Sequence, residues 1–190
     1  MTTQTSRPRY CALMVLMVSV VATGTFCVAS QIPPVHGTSL TNQPVTLPEG
    51  LHGKPGVLIL GFSRGSRDAV AGWGRRLAAD YRNSSDVMYY EMPVLASVPD
   101  VIRGFVVRSM KSSPPQQAQA RLVPITDHEA AWRALAHYGP ADDPYVMLID
   151  GSGTVIWQTH GQSTDAAYAV LKQQIESLTT QSARESQLRR

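Results

Sequence analysis

A chain of 190 residues, 43% hydrophobic and 16% charged, suits one globular domain plus an extension. Its formal charge of +3 is no nucleic-acid footprint, because Arg7 and Arg9 fall in a removable N-terminal stretch and the remaining charges nearly balance. Both cysteines, Cys11 and Cys27, lie in that same stretch, so a chain that loses it has neither a disulfide nor a thiol.

Arg7 and Arg9 precede an apolar run from Tyr10 to Ala29, interrupted only by Ser19, Thr23, Gly24 and Thr25. The run is long enough to span a bilayer, while its strongest part, Ala12 to Val21, has the length of a secretory h-region. Val28 and Ser30 suit cleavage before Gln31. Residues 1–30 are therefore expected to be a signal peptide or membrane anchor, and the protein to be exported, periplasmic or anchored to the inner membrane. Phe26 is too bulky before Cys27 for a lipoprotein site, and the unbroken run lacks the amphipathicity of a mitochondrial presequence. Residues 31–46, rich in Pro, Thr and Asn, are expected to be a linker, 47–178 the folded domain and 179–190 a polar tail.

The domain's organising stretch is Gly56-Val57-Leu58-Ile59-Leu60, a run of β-branched and aliphatic residues that suits a strand covered on both faces. Val70, Trp73, Leu77 and Tyr81 then recur at the spacing of one helix face. Asp86 to Leu95 predicts a second strand. Ser97-Val98-Pro99-Asp100 offers an N-cap with an acid three positions later, opening an amphipathic helix from Val98 to Lys111 that carries Val98, Val101, Ile102, Phe105, Val106 and Met110 on one side and Arg103, Arg108 and Lys111 on the other, stopped by Ser112-Ser113-Pro114-Pro115. Arg121 to Thr126 predicts a short strand, and Asp127 to Tyr138 a helix with Trp132, Leu135 and Ala136 inward. Pro144 to Trp157 reads as a hairpin turning through Asp150-Gly151-Ser152-Gly153. A helix with Tyr168, Leu171, Ile175 and Leu178 on one face follows.

A loop between a strand and a helix lies where α/β folds place chemistry. Gly61-Phe62-Ser63-Arg64-Gly65 spells the G-x-S-x-G nucleophile elbow, and Ser63, Asp150 and His160 occur in the order esterase-type hydrolases use. A serine hydrolase is the alternative reading. Against it, only some ten residues of ordered chain are expected before Val57, and Asp150 and His160 fall at opposite ends of one hairpin, a strand length of ~17 to 20 Å apart. A Gly-rich turn between strand and helix is the plainer account of the motif. His36, His52, His128, His137 and His160 show no metal-ligand spacing, and no cofactor or metal site is read. Met88, Met92 and Met110 read as core filling, as do Trp73, Trp132 and Trp157.

The order strand, helix, strand, helix, hairpin, helix resembles the thioredoxin-like fold, an α/β fold with a central mixed sheet flanked by helices. Leu51-His52-Gly53-Lys54-Pro55 before the first central strand and Pro144 before the strand ending Ile149-Asp150 carry the likeness over roughly 47–178. It implies that Pro144 corresponds to that fold's cis-proline and that Ser66 and Ala69 stand where its redox cysteine pair stands. A hydroxyl and a methyl cannot exchange disulfides. Within the superfamily, the cysteine-free loop followed by Trp73, the inserted amphipathic helix between Ser97 and Pro115, and Tyr145 to Asp150 followed by Val155-Ile156-Trp157 resemble the mitochondrial ATP synthase assembly-factor family. That resemblance implies a non-catalytic module binding a protein partner in a membrane complex, with the membrane surface a second target and nucleic acid none. The residues expected to bind are Ser63, Arg64, Ser66, Arg67 and Pro144 around the loop, and Arg103, Phe105, Arg108 and Lys111 on the inserted helix.

Overall fold

The structure is a computed structural model describing residues 30–112 and 114–188, so the apolar run and both cysteines lie outside the described residues. The apolar stretch at its centre forms β3 (Gly53–Gly61), the third strand of the chain and the middle of a four-stranded sheet. It pairs in parallel with β4 (Met88–Pro93) through the crossover helix α1 (Arg67–Tyr81). On its other side it pairs antiparallel with β5 (Pro144–Gly151), which turns into the edge strand β6 (Val155–His160). The sheet is thus mixed, in the order β4-β3-β5-β6.

Both faces of β3 are covered, which is why its sequence is uniformly apolar instead of alternating. Val57 and Ile59 pack beneath α1 and the C-terminal helix against Trp73, Leu77, Leu171 and Ile175. Leu58 and Leu60 face the opposite core with Met92, Trp132, Tyr145 and Met147. Trp73 is fully buried and donates its indole N–H to the Gly161 carbonyl at 2.9 Å, tying α1 to the end of β6. Trp132 is also fully buried, on the short α4 (Glu129–Leu135).

The segment expected as a linker folds instead. Val35–Thr38 (β1) and Pro44–Leu47 (β2) form an antiparallel pair, and Ile32, Val35, Leu40 and Leu47 are buried. Their apolar residues are too sparse to give a period, and their burial comes from distant chain: Leu40 N–H bonds the Leu122 carbonyl, and Val35 and Leu47 join the core under Leu58. Arg121 to Thr126 runs beside β4 in two isolated parallel bridges, Glu91 to Leu122 and Val94 to Ile125, without becoming a regular strand. Pro124, which has no N–H, sits between the two bridges.

Between β4 and β5 lie α2 (Asp100–Met110), the single turn α3 (Gln116–Gln119) and α4 (Glu129–Leu135). The last helix, α5 (Asp165–Leu188), runs well beyond Thr179, where a frayed tail is expected. Asp150 closes the β5–β6 turn by accepting from Ser152 and Thr154 backbone N–H at 2.8 and 2.9 Å. Burial pushes its carboxyl up, but the Ser152 hydroxyl, donating to Asp150 Oδ1 at 2.7 Å, and those backbone bonds together outweigh burial and hold it below the usual range.

Candidate functional site

At the carboxyl end of β3 the chain turns through Phe62 to Ser66 before α1 begins. The Ser63 hydroxyl donates to Asp142 Oδ1 at 2.6 Å and accepts from the Ser66 N–H at 3.1 Å, and the Ser66 hydroxyl donates back to the Ser63 carbonyl at 2.9 Å. Ser66 is 1% exposed, so it holds the loop from within and does not face a partner. Arg64 and Arg67 are exposed at the loop's rim.

The two glycines of the G-x-S-x-G motif are explained by packing. A Cβ at Gly61 would lie 2.7 Å from Ser66 Oγ, and one at Gly65 would run into the Asp142 carboxylate. The loop therefore lies flat against the Asp142-Asp143 segment, which reaches it because Gly61 pairs with Pro144 in the β3–β5 register.

The triad of the hydrolase reading is not assembled. Ser63 is held by Asp142, His160 Nδ1 lies 2.7 Å from Asp143 Oδ2, and Asp150 is engaged in the turn at the far end of β5. Nor is Pro144 a cis-proline: among the described residues Leu47–Pro48 is the only cis peptide bond.

An aromatic floor lies under this cluster. Phe62 meets Tyr138 and Tyr145 edge-on at 5.1 and 5.5 Å between ring centroids, and Tyr145 stacks on His160 at 5.7 Å. The Tyr145 hydroxyl donates to the Pro140 carbonyl and accepts from the Gly139 N–H, both at 2.8 Å. Arg133 on α4 lies 3.9 Å above the Tyr138 ring while bonding Glu129 at 2.7 Å. The arrangement is a rigid, partly charged surface of hydroxyl, carboxylate, imidazole and aromatic groups. It contains no thiol, and among the described residues no three metal-ligating side chains converge.

The other predicted binding residues lie on α2 or, for Lys111, just past its end, and no hydrogen bond or ion pair among the described residues joins that helix to the loop. Arg103 is turned inward, bonding Asp100 at 2.7 Å and the Val98 carbonyl at 2.8 Å, and Lys111 Nζ lies 3.2 Å from Asn42 Oδ1. Arg108 is exposed, and Phe105 is 72% exposed. Of the apolar residues of α2, Val101 and Ile102 are exposed with Phe105, while Val106, Val107 and Met110 are partly covered.

Sequence reasoning missed Asp142 and Asp143, whose only signal is their place just before the strand that pairs with β3. It also missed Glu91, a lone acid in an apolar strand. Glu91 projects against Gly74 on α1, where a Cβ would collide with its carboxylate. Burial raises its carboxyl to about 7, only partly offset by Arg75.

No protein-family model matches the sequence, and no curated protein matches it. Solved structures do. One is a thiol:disulfide interchange protein DsbE from Chlorobium tepidum (18% identity, TM-score 0.55, covering 80% of this chain and 96% of that one). Another is BsSco, a member of the Sco family of cytochrome c oxidase assembly proteins (12% identity, TM-score 0.54, 80% and 95%). A third is the exposed lipoprotein thioredoxin Etrx1 of Streptococcus pneumoniae (13% identity, TM-score 0.53, 74% and 99%). At such identities the likeness speaks to fold, and with the β4-β3-β5-β6 sheet and its flanking helices it establishes that this chain has the thioredoxin-like fold.

Proposed function

We propose that this protein is a thioredoxin-like binding module without thiol chemistry, exported or held at a membrane by its N-terminal segment, that assists assembly of a membrane protein complex. The observation that carries the reading is Ser66. It occupies the head of α1, where redox members of the fold carry a cysteine, and it is buried and hydrogen-bonded as a structural residue. Ala69, also buried, stands at the second redox position. Two supports come from elsewhere. BsSco belongs to a family described as assembly proteins, and the sequence resemblance of Ser97 to Pro115 and of Tyr145 to Trp157 to the ATP synthase assembly-factor family implies a role of the same kind.

On this reading the partner meets Ser63, Arg64 and Arg67 above the aromatic floor, while Ser66 and Pro144, both buried, position the loop. Two measurements test it. The purified Cys11→Ser/Cys27→Ser protein should not reduce insulin above background, and a photo-crosslinking residue at Arg64 in detergent-solubilised membranes should give a discrete protein adduct that the same residue at Arg82 does not. Insulin reduction, or identical products at both positions, overturns the proposal. Labelling of Ser63 by a fluorophosphonate probe would establish the hydrolase reading instead.

A further inference from the structure

The outward face of α2 is the part of the molecule that the fold leaves unexplained. None of its residues is buried. At 100° per residue, Val101, Ile102, Phe105, Arg108 and Ser109 share one side of the helix, while Arg103, Val106, Val107 and Met110 share the side that is partly covered. Val101 is 95% exposed, Phe105 72% and Ile102 50%. These are the three most contiguous large apolar side chains left in water by the described residues, set beside a cation, Arg108, that makes no ion pair or hydrogen bond among them.

We infer that this face docks on an anionic lipid bilayer, with Val101, Ile102 and Phe105 entering the boundary between headgroups and acyl chains and Arg108, on the same side of the helix, meeting lipid phosphates. The charge arrangement favours this occupant. Asp100, the helix's one acid, is neutralised by Arg103 at 2.7 Å, so the charge that remains for a partner is positive and lies at the C-terminal end. Size argues the same way. Three apolar side chains on eleven residues fall well short of the roughly 800 Å² per partner that a stable protein interface needs. A bilayer sets no such threshold, because interfacial binding scales with whatever apolar area enters and adds the attraction of each basic residue. The chain outside the described residues supplies proximity: the twenty-residue apolar run from Tyr10 to Ala29 ends immediately before Ser30, where the described chain starts. The inference rests on the reading above only for placing the protein beside a membrane. Its test involves no protein partner, so either can fail while the other stands.

The full chain, with Cys11→Ser and Cys27→Ser, is reconstituted into phosphatidylcholine vesicles with or without roughly 30% phosphatidylglycerol, an anionic content in the range that binds polybasic surfaces. An environment-sensitive fluorophore is attached at Val101→Cys or, as control, at Arg82→Cys, and quenching by lipid-borne nitroxide is read. The expected result is strong quenching at position 101 over the control in anionic vesicles, weaker quenching in neutral ones, and a fall to the control level with Phe105→Asp or with Arg108→Glu. Thermal melting of each variant confirms folding. Equal quenching at positions 101 and 82 overturns the inference, as does quenching indifferent to lipid charge and to those substitutions. Protection of position 101 that appears in native membranes but never in protein-free vesicles assigns the helix to a protein and also overturns it, as does protection that follows protein concentration.

Discussion

Ser66 and Ala69 stand three residues apart at the first turn of α1, both buried, with Ser66 at the cap. A helix N-terminus stabilises a thiolate, and a cysteine pair at this spacing is the reactive arrangement the fold uses elsewhere. Ser66→Cys/Ala69→Cys is therefore expected to form an intramolecular disulfide, counted by thiol titration before and after oxidation; two thiols that never pair would mean that the loop has been aligned wrongly. Glu91 is the second residue whose chemistry is set by its surroundings. Its folded-state carboxyl is raised to about 7, above the value near 4.5 of an unfolded chain, so the folded protein binds the proton more tightly. The stability this contributes is complete below about pH 4.5 and is lost as pH rises to about 7, a change of at most roughly 3 kcal/mol. Glu91→Gln should flatten the dependence of the urea midpoint on pH in that window. An unchanged slope would place the linked group elsewhere.

At the scale of elements, burial separates residues that look alike in sequence. Trp73 is fully buried and bonded to Gly161, so Trp73→Ala should cost about 3 to 5 kcal/mol. Trp157, read in the sequence as core filling like Trp73, packs only partly against the core around Val57, so Trp157→Ala should cost clearly less, about 1 to 2 kcal/mol. Denaturant titration of both variants checks the order, and a larger loss at Trp157 would contradict the packing. The contrast explains what was legible. Strand β3, helix α1 and the β5–β6 hairpin carry their own signals, since a run covered on both faces, a three-and-four spacing and a Gly-rich turn are local patterns. The apolar side of α2 was equally visible, but a period reports only that one side is apolar and not which way it points. At the site, Ser63 and the loop glycines could be found as a motif. Their partner Asp142 could not, because only the β3–β5 register brings together residues 79 positions apart.

The molecule as a whole is closed by its first described residues. Gln31 bridges Thr154 in antiparallel fashion, Ile32 N–H bonds the Gly153 carbonyl at 2.9 Å, and Val155 N–H bonds the Ser30 carbonyl at 2.8 Å. Ile32, 5% exposed, packs in the core that also holds Val35, Leu47 and Trp132. The segment thus pins the β5–β6 turn to the β1–β2 pair and covers the start of the free edge of β6, an edge otherwise open to pairing with another chain. Cleavage before Gln31 would remove one of these backbone bonds and leave Ile32 in place. A chain beginning at Val35 would lose the Ile32 side chain and its backbone bond as well. Burial of one such side chain contributes about 1.5 to 3 kcal/mol and a net backbone bond about 1, so the shorter chain should be less stable by roughly 2 to 4 kcal/mol. Urea unfolding of chains beginning at Gln31 and at Val35 measures the difference, with a lower midpoint and a nearly equal slope expected for the second. Coincident midpoints would show that residues 31–34 only rest on the surface, and that the domain's stability begins at β1.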